Sequence, residues 1–345
     1  MIVDKRYCMS SFLMYRTICD HNHTFAPGIV PRFFEENADR APVDNSVQLE
    51  EALKREVVRA CEGGKTALAL SGGIDSAILA RFMPKGSVAY TFKCVVPGIE
   101  VTDETPGAAR YAEACGLDHR VVEIYWEDFE ELAPKLMKHK GAPIHSIEVQ
   151  ICKASMRALE EGFDTIIFGE SSDLNYGGLD GLLSKDWTIP QFIERYSYVL
   201  PYKALKSCEI ITEPLQTYSR DGYVDTHEFD RHPFYVEAMG SYQNGTETAG
   251  IKLSVPYSKT FMNVPLDYSR IRSGENKYLV REVFQRLYPD FPVAKKVPMP
   301  RPMNEWMKDW KGPVRDEFWP HCVEGMTGDQ KWLVWALEKF LDIIE

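Results

Sequence analysis

The five residues 66–70 (Thr-Ala-Leu-Ala-Leu) are apolar or β-tolerant, and they run into Ser71-Gly72-Gly73-Ile74-Asp75-Ser76 and then Ala77-Ile78-Leu79-Ala80. An apolar run, a Gly pair and a good helix former predict strand, tight turn and helix in immediate succession. Such a turn leaves N–H groups unpaired at the start of the helix, at the positive end of its dipole. Gly72 and Gly73 carry no Cβ that would keep an anion off the backbone. Ser71 and Ser76 add hydroxyl donors, and Asp75 sets a carboxylate where it can hold a divalent cation beside that anion. The stretch is a candidate phosphate cradle with a metal ligand built in. An ordinary Gly-rich turn would need only the glycines, so the full S-G-G-x-D-S string is the more specific signal. Gly64-Lys65-Thr66 imitates the tail of a Walker-type loop, but Arg59 stands where that motif needs Gly, and the motif should follow a strand rather than lead into one.

The alternation continues along the chain. Residues 46–61 have a helical pattern with Ser46 as N-cap, 87–96 read as a second buried strand, and 105–115 as a helix ended by Gly116. A third strand over 120–125, helices over 127–140 and 147–161, and a fourth strand over 164–168 follow. This order predicts an α/β fold, a parallel sheet with helices on both faces. Ligands of such sheets sit at the carboxyl ends of the strands. The polar stretch 169–178, with Glu170 and Asp173, therefore belongs beside the cradle rather than in a solvated loop. Beyond Leu183 the alternation stops, and mainly helical segments are expected at 189–200, 227–240, 275–287, 303–310 and 329–344. The expected organisation is an irregular, aromatic-rich extension over 1–45, a nucleotide-binding core over 46–185 and a helical region over 186–345 that completes the site. Cys19-Asp20-His21-Asn22-His23 lacks a second ligand pair at metal spacing.

A net charge of −11 over 345 residues argues against nucleic acid as the main partner. No apolar run reaches the length of a membrane span, and the N-terminus lacks a signal-peptide core. The eight cysteines are scattered without a C-x-x-C pair, the pattern of reduced thiols in a cytoplasm.

The Ser71–Ser76 string resembles the pyrophosphate loop of the N-type ATP pyrophosphatases, which cleave ATP to AMP and pyrophosphate. Further motifs in the right order over roughly residues 45–310 resemble the synthetase domain of asparagine synthetases and their relatives, the β-lactam synthetases. The strand with Thr91-Phe92, then Asp103-Glu104 with Ala108, Ala112, Gly116 and His119, are similar to the family's opening units. Gly169-Glu170-x-Ser172-Asp173 with Gly177-Gly178 resembles its acidic loop, and Lys277 with Arg281 its K-x-x-L-R helix. Lys295-Lys296 before Pro298-x-Pro300, with Asn304-Glu305-Trp306 beyond, matches its late lysine segment. By itself a lysine pair of this kind would read as a solvated surface loop. Three departures bear on the substrate: Ser254 replaces an arginine, 256–259 read Pro-Tyr-Ser-Lys instead of Pro-Phe-Leu-Asp, and Asn175 replaces an apolar residue. Ile2 stands where glutamine-using relatives carry their nucleophilic cysteine, so a glutaminase domain is not expected here.

The resemblance implies ATP and Mg²⁺ as cofactors. It also implies adenylation of a carboxylate-bearing small molecule, with an amine, free ammonia or ammonia from a separate glutaminase partner displacing AMP to give an amide. Asp75 and Asp173 would hold the metal. Ser71, Gly72, Gly73, Ser76, Gly169 and Lys277 would hold the phosphates, and adenine would lie against Thr91 and Phe92. Lys296 would stabilise charge at the α-phosphate, and Glu170 would deprotonate the amine. Two alternatives are a tRNA-modifying sulfur transferase, which would want a catalytic cysteine pair and a basic face, and a degenerate nucleotide-binding protein without catalysis.

Overall fold

Leu68 and Leu70 are buried among one set of apolar side chains, Ala67 and Ala69 among another. This two-residue alternation, with neither set exposed, is what a strand buried on both faces requires. The strand is β1 (Thr66–Ala69) of a computed structural model that describes residues 1–36, 39–293 and 299–345. Four more strands join it: β2 (Val88–Cys94), β3 (Asp118–Ile124), β4 (Thr165–Ile167) and β5 (Lys252–Ser254). All pair in parallel in the order β5-β4-β1-β2-β3. The chain moves from β1 out to β3, then returns to the other side of β1 for β4. The crevice where the direction reverses therefore lies at the carboxyl ends of β1 and β4, the place where open parallel sheets bind ligands.

Helix α1 (Lys5–Tyr15) comes first in the chain. It is followed by α2 (Ser46–Cys61), α3 (Ile74–Phe82), α4 (Thr105–Cys115), α5 (Trp126–Lys140) and α6 (Ile147–Glu160). Later come α7 (Tyr235–Ala249), α8 (Tyr278–Leu287) and α9 (Gly328–Ile344). Helices α2, α3, α4 and α8 cover the Leu68 face of the sheet, and α1, α5, α6, α7 and α9 contribute to the core on the Ala67 face.

Residues 5–15 are not irregular as expected; they form α1. Asp4 caps α1 by accepting from the Tyr7 N–H at 2.9 Å, and every residue of the helix from Tyr7 to Tyr15 is buried. Its aromatic residues Tyr7, Phe12 and Tyr15 are part of that buried surface. The helix expected over 227–240 is present, passing through a π-helical turn, Asp230–Phe234, at Pro233, which cannot donate an i→i−4 bond, and continuing as α7 to Ala249. Strand β5 is three residues long and has no sequence signal of its own. It lies beyond the 46–185 segment yet forms one edge of the sheet. Among the described residues no helix is long and apolar enough to cross a membrane.

Candidate active site

Two loops, Ser71–Ser76 after β1 and the residues from Gly169 after β4, meet because their strands are neighbours. Gly169 sits so close to the first turn of α3 that a Cβ there would lie 3.1 Å from the Ser76 nitrogen. Ser171 then turns the chain in the left-handed region (φ 69°) into a short helical turn, Ser172–Asn175. A non-glycine residue held there stores roughly 1 kcal/mol or more, a cost met at sites where side chains must be aimed. The turn presents Glu170 and Asp173 to the crevice.

Asp75, in the first turn of α3, accepts from Ser172 Oγ at 2.6 Å through Oδ1 and from Lys277 Nζ at 2.6 Å through Oδ2. The same ammonium lies 3.0 Å from Asp173 Oδ1. Lys277 itself sits at φ 51° at the N-terminus of α8, its side chain only 6% exposed. Burial alone would lower its pKa; the two carboxylates outweigh burial and hold it above the ordinary value. Gly178 seals this cluster: a Cβ would fall 2.0 Å from Asp173 Oδ1 and 2.6 Å from Lys277 Cδ, so no other residue fits. Two carboxylates converging on one cationic point form a donor set suited to a hard dication. Mg²⁺ usually takes one or two carboxylates and fills its shell with phosphate oxygens and water. Among the described residues no group of three or more His, Cys, Asp or Glu side chains is arranged to hold a metal.

The cradle is held by its own hydroxyls. Ser71 Oγ and Ser76 Oγ are 3.0 Å apart, the Ser71 N–H donates to Ser76 Oγ, and the Gly73 N–H donates to Ser71 Oγ at 3.1 Å. Around it is a cavity of about 210 Å³, lined by Ser71, Gly73, Asp75 and Ser76 on one side and by Gly169, Glu170, Asp173 and Lys277 on the other. Thr91 and Phe92 line it too, but the Thr91 hydroxyl donates to the Leu70 carbonyl at 2.7 Å and contacts His119 Nε2 at 2.7 Å. Its side chain is thus committed to the wall. Lys296 lies outside the described residues.

Glu170 is recessed in the cavity, and burial raises its pKa; the Ser171 N–H, donating to Oε1 at 2.8 Å, opposes, and the Asp173 charge adds to the rise. Tyr242, from the middle of α7, lines the cavity beside the same carboxylate and favours its charged form. No sequence pattern marked it. Glu104 also lines the cavity, and burial lifts its pKa to about 7, against the Gly72 N–H that favours its charged form. Its place beside the cradle comes from the β2–α4 connection crossing the mouth of the sheet. The Asn175 departure has a structural use. Its side chain donates to the Tyr257 carbonyl and accepts from Arg40 Nη2 at 2.7 Å, and the Tyr257 hydroxyl donates to the Asp75 carbonyl at 3.2 Å.

The asparagine synthase family model matches residues 48–232. Among solved structures, an NH3-dependent NAD synthetase from Campylobacter jejuni is similar at 16% identity and a TM-score of 0.26, over 39% of this chain and 61% of that one. The NMN synthetase of Francisella tularensis is similar at 12% identity and a TM-score of 0.29, over 74% of this chain and 99% of that one. No curated protein matches the chain.

Proposed function

Because the chain belongs to the asparagine synthase family, and is thereby an ATP-dependent enzyme of the ligase type, we propose that it joins a carboxylic acid to ammonia or an amine through an acyl-adenylate. The observation that supports this most is the convergence of Asp75 and Asp173, from loops on adjacent strands, on Lys277 at 2.6 and 3.0 Å beside the glycine cradle. A carboxylate oxygen of the acid attacks the α-phosphorus of ATP, the bond to the β-phosphate breaks, and pyrophosphate leaves. The amine then attacks the acyl carbon and AMP departs with the bonding pair.

An anion attacking a polyanion needs alignment and neutralised charge more than covalent help. The N–H groups at the start of α3 and the Ser71 and Ser76 hydroxyls would hold the departing pyrophosphate, with Lys277 turning from the carboxylates to the phosphates. Asp75 and Asp173 would hold Mg²⁺, which when bound supplies positive charge to the phosphate oxygens. Glu170, its pKa raised and its carboxylate steadied by Tyr242, would take the proton from the incoming amine. Adenine would lie along the Thr91 and Phe92 wall.

Incubation of the full chain with ATP, Mg²⁺ and a panel of small acids, followed by nucleotide analysis, tests the proposal. AMP and pyrophosphate are expected in equal amounts, together with acid-dependent ATP–pyrophosphate exchange. ADP and inorganic phosphate as products would overturn it.

A further inference from the structure

Pro300 lines the nucleotide cavity, and its neighbour Arg301 lines a second cavity of about 330 Å³. One stretch of chain thus separates the two. The second cavity is walled by Arg16, Arg195, Arg301, His145, Ser197 and Tyr198, with Asp329 as the one carboxylate among its described lining residues. Three arginines against one acid stand out in a chain of net charge −11.

Arg16, the residue that ends α1, is 7% exposed and held at φ 60°. Its guanidinium stacks 4.0 Å from the Tyr198 ring centroid, donates to Glu237 Oε2 at 2.7 Å, and donates to His145 Nε2 at 3.0 Å. An Nε2 that accepts from arginine carries no proton, so the neutral ring has its N–H on Nδ1. Burial and the neighbouring cations Arg16, Arg301 and Lys140 keep His145 in that neutral form. Glu237 Oε1 lies 3.9 Å from Nδ1, beyond hydrogen-bond reach. Arg16 Nε, His145 Nδ1 and Ser197 Oγ are all buried without a hydrogen-bond partner among the described residues. Buried polar atoms are nearly always paired, so the residues of this wall hold donor capacity that nothing among the described residues takes up. Arg301 is already oriented, donating to Asp329 Oδ1 at 2.7 Å and to the Met299 carbonyl at 3.0 Å. Arg195 stands exposed at the rim with no ion pair among the described residues.

We propose that this cavity binds a small oxyanionic group, a carboxylate or a phosphate, belonging to the substrate other than ATP. Guanidinium forks, a hydroxyl and an imidazole N–H are all donors, the complement of an oxyanion's lone pairs. Arg16 and Arg301 already face Glu237 and Asp329, so the charge left for an anion to meet is that of Arg195. The assignment to a second substrate rests on the amide-forming reaction proposed above; the anion site itself does not. It also gives α1 a role, since Arg16 reaches the site from that helix.

Calorimetric titration of the full chain without nucleotide tests it, with succinate, inorganic phosphate and neutral succinamide as probes. Succinate or phosphate is expected to bind and succinamide is not. Arg301→Gln and Arg195→Gln should each weaken that binding roughly tenfold or more, as for lost charge-assisted hydrogen bonds. Arg220→Gln, an exposed arginine outside the cavity, should not. Binding of succinate alone assigns a carboxylate, of phosphate alone a phosphoryl group. No anion binding, or binding indifferent to both Arg301 and Arg195, overturns the site. Arg195 is exposed, so its variant remains informative even if Arg301→Gln fails to fold. Because no ATP is present, failure to form AMP would remove the adenylation mechanism and leave this result standing.

Discussion

Replacing Lys277 by methionine keeps most of the side-chain volume and deletes the charge that two carboxylates share. Breaking a buried ion pair by removing one partner costs about 3–5 kcal/mol when the remaining charge is sealed from water. Here Asp75 and Asp173 are 22% and 28% exposed, so water can reach them, and about 2–3 kcal/mol is the better figure. Unfolding a chain of this length carries an entropy of roughly 0.7 kcal/mol/K near its midpoint, which converts that loss into about 3–4 °C of Tm. The two carboxylates are then left facing each other, and like charges at such range favour either a shared proton or a bound cation. Mg²⁺ without nucleotide should therefore raise the Tm of Lys277→Met by most of the lost amount, while scarcely moving the wild type, whose ammonium already fills that place. Differential scanning calorimetry at several Mg²⁺ concentrations reads both effects. A variant that melts within about 1 °C of wild type, or one that Mg²⁺ leaves unchanged, would refute the idea that Lys277 neutralises a metal-binding carboxylate pair.

Glu170→Gln should retain acid-dependent ATP–pyrophosphate exchange and lose amide formation by roughly 10²-fold or more, the usual size of a general-base contribution; equal loss in both half-reactions would place Glu170 elsewhere in the mechanism. Glu104 gives a pH signature. Its native pKa of about 7 lies above its value in the unfolded chain, so between these values the native state binds more protons and stability falls as pH rises. Glu104→Gln should remove about 2 kcal/mol of that fall between pH 5 and pH 8, seen by urea unfolding at the two pH values; parallel profiles for both proteins would show that the carboxyl is not held protonated. Lys296→Ala, judged from sequence alone, should slow adenylation roughly 10²-fold, and Lys295→Ala should be near neutral; similar loss at both, or at neither, would mean that the lysine has been misassigned.

The sequence by itself determined the nucleotide-binding half of this protein. A short apolar run with a Gly pair has few ways to fold, so β1, the cradle and α3 follow from local rules, and so does the run of strands and helices to Ile167. The carboxyl-end rule for parallel sheets then placed Glu170 beside Asp75 without any contact being known. What the tertiary structure decided lies where local pattern and final environment differ. Helix α1 was hidden because its nearly all-round apolar and small polar residues show no amphipathic stripe until a core exists to bury them. Strand β5 is too short to signal itself and forms because an unpaired edge of β4 awaits it. Lys277, expected on the phosphates, stands between two carboxylates 202 and 104 residues distant, since only the closed sheet sets their separation. Glu104, Tyr242 and the Arg16–His145 cluster belong to the same class. A side chain's charge state and partners depend on how much water surrounds it and what faces it across the fold, and neither quantity is written in the neighbouring residues.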